Sequence, residues 1–463
     1  MRVPPGRHPV CHDRPQNILE EMKAPTSHSN RQRAWRQFRQ NTPAMVAMVF
    51  LTLLTGMALL APYLANHRPL YAVVGDARIW PAFHPDKTYT LTMADGQTLR
   101  LQNDITDWRK VPMERVVWPV ITYSPGVNDY NNTGFVAPND PQFMVDAAGK
   151  TVPLSGRLKH QLGTNNTGKD VAAGLIHGAR YSLSIGFVAM GIAGFLGILL
   201  GAMAGYFGDR QLAMRRGQWL MLVPGLLLGW MYGFYVRRYL LADAAATSPI
   251  AGALQLCWSV LIAAGILLLA LWAGKWLSRM RFLHHRHFIP VDSLVSRTIE
   301  VVHSLPVFIL IITVAAITRP SLLHVMVIIG LTSWTSIARL TRAEFLKIRQ
   351  LDYISAANAL GFSSMRIILR HALPNAIAPA LVSIAFGIAA AILIESSLSF
   401  LGVGVPPGTV TWGSMVNEGR QQFSAWWLVV FPGLLIFTTV TAYNLIGEGL
   451  RDAFDPRLGE TTS

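Results

Sequence analysis

The feature that most constrains this chain is a set of apolar runs, at 44–64, 181–207, 219–239, 251–277, 301–317, 321–340, 376–400 and 425–446. A hydrocarbon core about 30 Å thick takes about 20 helical residues to cross. Inside it, every backbone N–H and C=O must find a partner within the protein, which a helix supplies by itself. The chain is therefore expected to be an all-α polytopic membrane protein with about eight transmembrane helices. Its 51% hydrophobic and 14% charged residues depart from the composition of a soluble domain. The net charge of +15 raises the question of nucleic acid. However, Arg and Lys gather beside the apolar runs, as orientation signals do. The expected surroundings are the lipid bilayer, with no nucleic acid. Cys11 lies in a polar stretch and Cys257 in an apolar one, so no disulfide framework or zinc site can be built from them.

The runs divide the chain. Residues 1–42 form a polar, basic tail, expected to be disordered to about Arg31 and unlike a cleaved signal peptide. A first transmembrane helix at 43–65 leads to a polar interval at 66–165. There Tyr89 to Met93 and Gln97 to Leu101 alternate around Ala94-Asp95-Gly96, a hairpin signature. The interval reads as a small extracytoplasmic insert. Residues 166–210 hold a second core helix rich in glycine, which lets membrane helices pack closely. Residues 211–288 read as an inserted transmembrane hairpin turning near 242–249. Arg237 and Arg238 lie at its turn end, against the charge pattern, so either they snorkel to headgroups or the first run is re-entrant. Residues 289–450 form the remaining core, with Pro306 inside the run 301–317 permitting a bend. Residues 451–463 are a second tail.

The stretch 351–374 is different in kind: mixed, basic and broken by glycine between two apolar runs. Ile354, Ala357 and Leu360, then Met365, Ile368 and Leu369, recur at amphipathic-helix spacing. Gly361 is placed to end the first helix, Ser363 or Ser364 to cap the next, and Pro374 to begin a new apolar helix. This predicts a helix–turn–helix elbow at the membrane surface. Ala356-Ala357, Gly361 and His371-Ala372-Leu373-Pro374 resemble the cytoplasmic "EAA" loop of ABC-importer permease subunits, with Ser355 in place of the leading Glu. Three further blocks resemble the dipeptide/oligopeptide/nickel branch of that family. They are Trp35 to Asn41; His160 to Val171, similar to HxLGTDxxGRDV; and Ser399 to Pro407 with Trp412-Gly413, similar to SFLGxGxxPP…WG.

The resemblance implies the type I ABC importer transmembrane fold: six core helices, with the hairpin and the insert as additions. It implies an inner-membrane permease for peptides, both termini cytoplasmic, with nickel or antimicrobial-peptide uptake as alternatives. Its partners would be a homologous permease subunit, two ATPase subunits carrying ATP and Mg, and an extracytoplasmic solute-binding protein. Coupling contacts would fall to Tyr353, Ser355, Ala356, Ala357, Gly361, Phe362, Arg366, Arg370, His371 and Pro374. Pro306, Glu395, Gly402, Gly404, Trp412 and Gly413 would serve gating or structure.

Two patterns point elsewhere and are set aside. Gly163 to Asp170 approximates the phosphate loop GxxxxGK(S/T), but Asp170 stands where the Mg-binding hydroxyl belongs and would repel phosphate. His284-His285-Arg286-His287 invites a metal-dependent membrane enzyme, yet Arg286 would repel a cation and no carboxylate lies in the cluster. A headgroup-facing cluster is the expected reading. Proton- or sodium-driven carriers bury carboxylates near the bilayer midplane. The acid found in the core runs is Glu395, expected near the outer end of its helix and either in a gating role or reaching interfacial water. A chain with a pathway but no catalytic constellation is expected to draw its energy from partner subunits.

Overall fold

The computed structural model describes residues 30–454, apart from 76, 85, 93–97, 104, 105, 112, 146–148, 155, 248 and 281–284. The expected tail disorder, the Ala94-Asp95-Gly96 turn, Cys11 and His284 lie outside the described residues. The basic, aromatic approach at Trp35 to Asn41 is helical in α1 (Asn30–Gln40). Phe38 of α1 packs on Ala44 and Ala453. Asn41 caps α2 (Thr42–Leu59) by accepting from the Ala44 amide at 3.1 Å. A short turn, α3 (Ala61–Leu64), ends this span.

The insert is a set of small antiparallel sheets. Strand β1 (Tyr71–Val74) pairs with β2 (Ala77–Ile79), β3 (Thr88–Thr92) with β4 (Thr98–Gln102), and β5 (Arg115–Val117) with the free edge of β1. Strand β6 (Phe143–Val145) pairs with β7 (Thr151–Pro153). Trp108, fully buried, anchors a core with Ala72, Val74 and Ile79.

Helix α4 (Val171–Phe207) runs 37 residues, beginning ten residues before the expected apolar run. The cause is Asp170, whose carboxylate caps the helix on the Ala173 amide at 2.6 Å. Strand β8 (Ala213–Arg215) then leads to α5 (Arg216–Trp230), a turn of wider i→i+5 bonding at Met231–Tyr235, and α6 (Arg238–Thr247). Helix α7 (Pro249–Leu277) returns to strand β9 (Arg286–Phe288), which pairs with β8. The first run of this hairpin is bent by 41°. Arg237 donates to Ser259 and Gln255 of α7. The hairpin thus satisfies Arg237 internally, without headgroup snorkelling, whereas Arg238 is exposed.

The bend expected at Pro306 is present, and it is sharp enough to split the run 301–317 between two helices. Helices α8 (Val291–Ser304) and α9 (Val307–Ile317) meet at 78°, with Pro306 at the break as the residue before α9. Proline has no N–H to continue α8 and disfavours helix at Leu305. With 11 residues, α9 reaches about 16 Å and does not cross alone.

Then follow α10 (Leu322–Ile348), α11 (Asp352–Ala359), α12 (Ser364–Arg366), α13 (Leu373–Phe400), α14 (Trp412–Arg420) and α15 (Trp427–Phe454). Among the described residues six helices are long and apolar enough to cross a membrane, or up to eight if each bent pair is one span.

The centre of the bundle is α4 against α10. A Cβ on Gly201 would lie 2.5 Å from the Ala338 carbonyl oxygen, and one on Gly205 would lie 2.6 Å from that of Arg342. From the other side, a Cβ on Gly330 would meet the Ala189 carbonyl at 2.8 Å. The two backbones touch, as small residues allow between membrane helices. Gly201→Leu should therefore wedge the pair apart and destabilise by on the order of 1–3 kcal/mol. A Cβ on Gly191 meets nothing within 4 Å, so Gly191→Ala should be neutral or slightly stabilising. Thermal melting of the detergent-solubilised variants compares the two.

Candidate functional site

The elbow is built by local chemistry. Asp352 sits in the first turn of α11, where a carboxylate suits the helix dipole. Gly361 takes a left-handed φ of 76° after α11. The Phe362 amide then bonds to the Ala357 carbonyl at 3.2 Å and the Gly361 amide to that of Asn358 at 3.0 Å. These are the paired bonds of a glycine-terminated helix. Ser363 precedes α12 but makes no side-chain cap. The second elbow helix is not separate from the next span either. A wide turn at Ile367–Ala372 joins α12 to α13, so Ser364–Phe400 is continuous. The wide turn immediately before it accommodates Pro374, the second residue of α13.

The elbow's inner face is Ile354, Ala357, Ile367 and Ile368, packed on Phe345 and Ile348 of α10 and on Ala202 and Tyr206 of α4. Arg349 Nη1 also donates to the Tyr206 carbonyl at 3.1 Å. The amphipathic expectation holds for Ile354, Ala357 and Ile368. It fails for Leu360, Met365 and Leu369, which are 74%, 62% and 57% exposed. Of the expected coupling residues, Tyr353, Ser355, Ala356, Gly361, Arg366, Arg370 and Pro374 are exposed, while Phe362 and His371 are half-buried. Ala357 is turned inward, so it is a packing residue of the elbow and not part of an outward contact. The Arg366 guanidinium lies 4.5 Å over the Phe362 ring, whose other neighbour is His371. The outward face is thus apolar at Tyr353, Leu360, Met365 and Leu369, with Arg366 and Arg370 beside it.

Next to the elbow a cavity of about 720 Å³ opens between α10, α13 and α15. Glu344, Lys347, Asn375, Pro379, Phe386 and Arg451 are among its lining.

At the opposite end, Trp412 is fully buried and donates from Nε1 to the Leu175 carbonyl of α4 at 3.0 Å. A Cβ on Gly413 would meet the Ser396 carbonyl at 2.6 Å, and one on Gly404 would meet Val325 at 2.7 Å. Gly402 has a left-handed φ of 75° just after α13. Glu395 is fully buried, which corrects the reading of a carboxylate reaching interfacial water. Its Oε1 accepts from Ser399 at 2.6 Å, and Thr411, Ser396 and Ser182 lie around it.

A neighbouring cluster was not legible as one. His160, fully buried, faces Asp170 through Nδ1 at 2.8 Å and Asp129 through Nε2 at 3.3 Å. Tyr123 stacks on its ring at 3.8 Å, and Arg109 lies 5.2 Å over Tyr123. A doubly protonated imidazole donates to both carboxylates at once. Burial alone would lower the His160 pKa, but the hydrogen bonds and charges of Asp129 and Asp170 raise it above its usual value. His160 and Asp170 carried a sequence signal, ten residues apart in the glycine-rich segment. Asp129, Tyr123 and Arg109 are supplied by the insert at distances no local pattern encodes.

Residues 266–460 match the family described as "binding-protein-dependent transport system inner membrane component". Residues 29–81 match the "N-terminal TM domain of oligopeptide transport permease C". A putative peptide transport system permease protein of Brucella suis is 44% identical over 168 residues, 36% of this chain and 57% of that protein. The chain thus spans little more than half of that relative's length. A di/tripeptide transport system permease protein of Pseudomonas aeruginosa is 30% identical over 70% of this chain and 82% of its own length. An inner membrane ABC transporter permease protein of Escherichia coli is 27% identical, covering 92% and 96% of the two chains.

The raised His160 pKa carries a definite sign. A folded pKa above 6.5 contributes stability that is complete below 6.5 and is lost as pH rises through the folded value. Melting temperature should therefore fall with pH across this window in the wild type. His160→Leu, which leaves two carboxylates against an apolar side chain, should cost about 3–5 kcal/mol and flatten the profile.

Proposed function

We propose that this chain, which belongs to the inner-membrane component family of binding-protein-dependent transport systems, is the permease subunit of an ATP-driven importer for peptides. A solute-binding protein delivers the peptide on the insert side, and a homologous permease subunit completes the pathway. Two ATPase subunits bearing ATP and Mg engage the elbow. The protein is a multi-pass component of the inner membrane. We place both termini and the elbow in the cytoplasm, supported by Arg339, Lys347, Arg349, Arg366 and Arg370 on the elbow side.

The observation that carries this reading is the elbow's outward face. Large apolar side chains beside two arginines, rigidly backed by α4 and α10, suit a protein groove. The elbow is continuous with α13, so a push on it reaches the span directly. Tyr353, Leu360, Met365 and Leu369 carry the contact, with Arg366 and Arg370 at its rim. Ser355, Ala356 and Gly361 allow close approach, while Phe362, His371 and Pro374 hold the elbow's shape. Pro306 sets the α8–α9 bend. Glu395, Trp412 and Gly413 fix the outer end of α13 on α4, while Gly404 seats the following loop on α10 and Gly402 turns the chain toward α14.

The chain itself hydrolyses no ATP in this scheme. Asp170, at the would-be nucleotide loop, is committed to the Ala173 amide and His160. Peptide as cargo is supported by the names of the relatives and by the mixed charges Glu344, Lys347 and Arg451 around the cavity. A free peptide carries a charge of each sign at its ends.

Leu360→Asp tests the coupling. Leu360 is 74% exposed, so its replacement should change stability by no more than about 0.5 kcal/mol. The variant should insert and melt as the wild type does, yet lose co-purification with the ATPase subunits and lose peptide uptake. Undiminished uptake would reject the elbow as the coupling surface.

A further inference from the structure

The hairpin of α5, α6 and α7 stands apart from the bundle. Its helices pack on each other through Gly217 against Gly274, Gly225 against Ala270 and Gly233 against Ala263. Among the described residues, no other helix of the chain makes more than isolated contact with them. Only 6% of the apolar window within Leu254–Leu277 is buried within the chain. The rest of the described chain therefore leaves most of this hairpin uncovered.

Its elbow-side base concentrates cations. Strand pairing sets Arg215 directly across from Arg286, a like-charge pair that is unfavourable unless something neutralises it. The Arg216 amide bonds to the His285 carbonyl at 3.1 Å, and its Nε donates to His287 Nε2 at 2.8 Å. The close approach of Gly217 to Gly274 and Ser278 brings Lys275 and Arg279 to the same end. Between residues 211 and 291 the sole acid in the sequence is Asp243, and it lies on α6 at the far end of the hairpin. Among the described residues no ion pair joins a carboxylate to Arg215, Arg286, Lys275 or Arg279, and the flanking acids Asp209 and Asp292 are engaged by Ser293 and Arg342. Exposed Trp219, Trp272 and Trp276 ring the same end, at the depth where indoles sit between acyl chains and water.

We propose that the base of the hairpin, at Arg215, Arg286, Lys275 and Arg279, is a binding site for the phosphodiester headgroup of an anionic phospholipid. The headgroup supplies the charge that the Arg215–Arg286 pairing lacks, and the acyl chains lie along the exposed faces of α5 and α7. A basic site at the foot of membrane helices is a recognised setting for such lipids. A free anion would satisfy the arginines equally but has no use for the tryptophans or for the apolar wall above them.

Native mass spectrometry of the purified full chain tests this, with dioleoyl phosphatidylglycerol and dioleoyl phosphatidylcholine as probes. The wild type should retain phosphatidylglycerol about tenfold more tightly than phosphatidylcholine. R215Q/R286Q should abolish the preference, and because it removes a repulsion it should leave melting unchanged or raised. K275Q/R279Q, at the end of α7 and in the turn after it, should weaken it independently. R36Q/R39Q, the same charge removed from exposed positions of α1, should retain it. Equal retention of the two lipids by the wild type would overturn the proposal, as would undiminished preference in both hairpin variants. Displacement of phosphatidylglycerol by millimolar inorganic phosphate would reassign the site to free anions and overturn it too.

Discussion

The contact of α4 with α10 is the constraint on which the remaining architecture rests. In lipid there is little hydrophobic gain from joining two apolar helices, so association depends on how closely their backbones can approach. Gly197, Gly201, Gly205 and Gly330 remove the side chains that would hold them apart. Everything the chain does at either end is referred to this pair. The elbow sits on Tyr206 and Phe345 at one end, and Trp412 closes on Gly178 and Leu175 at the other. The elbow is thus seated on a closely packed two-helix unit.

The insert end uses a different kind of bond. Around His160 the chain spends ion pairs and stacked rings where the bundle spends van der Waals contact. The Trp427 indole donates to the Thr164 carbonyl at 3.0 Å, and Asn165 Nδ2 donates to Glu418 at 2.8 Å. The segment that mimics a phosphate loop is therefore a hub that ties the insert, α4, α14 and α15 together. Glycine and lysine there serve backbone geometry and charge balance. A one-dimensional pattern of glycines cannot distinguish these uses from nucleotide binding, but the residue at the end of the pattern can, because Asp170 caps a helix.

Most of the membrane architecture was legible, because the bilayer imposes length and apolarity on each span separately. The elbow was legible at Gly361, whose turn has one physical solution, and at Ile354 and Ile368. It was misread at Leu360, Met365 and Leu369, since periodicity says which residues share a face but not that a helix surface offers a second apolar stripe to a partner. Pro306 was read as a bend within a span, whereas the loss of one amide and the restriction on Leu305 act together to turn the chain by 78°. The company of His160 was hidden because Asp129 and Arg109 come from strands and loops whose packing depends on the whole insert. Glu395 looked interfacial for a similar reason. Its depth is set by α14 folding over it, an element outside the span.

The wide turn between the elbow and α13 has a geometric meaning of its own. A stretch of i→i+5 bonding holds one residue more than an ordinary turn, and each residue of a helix is worth about 100° of rotation about its axis. The turn at Ile367–Ala372 therefore acts as an indexing collar. It fixes the azimuth at which the elbow's apolar stripe emerges relative to the faces of α13, independently of how long either helix is. Gaining or losing that single residue would change this angle while leaving both the elbow and the span intact.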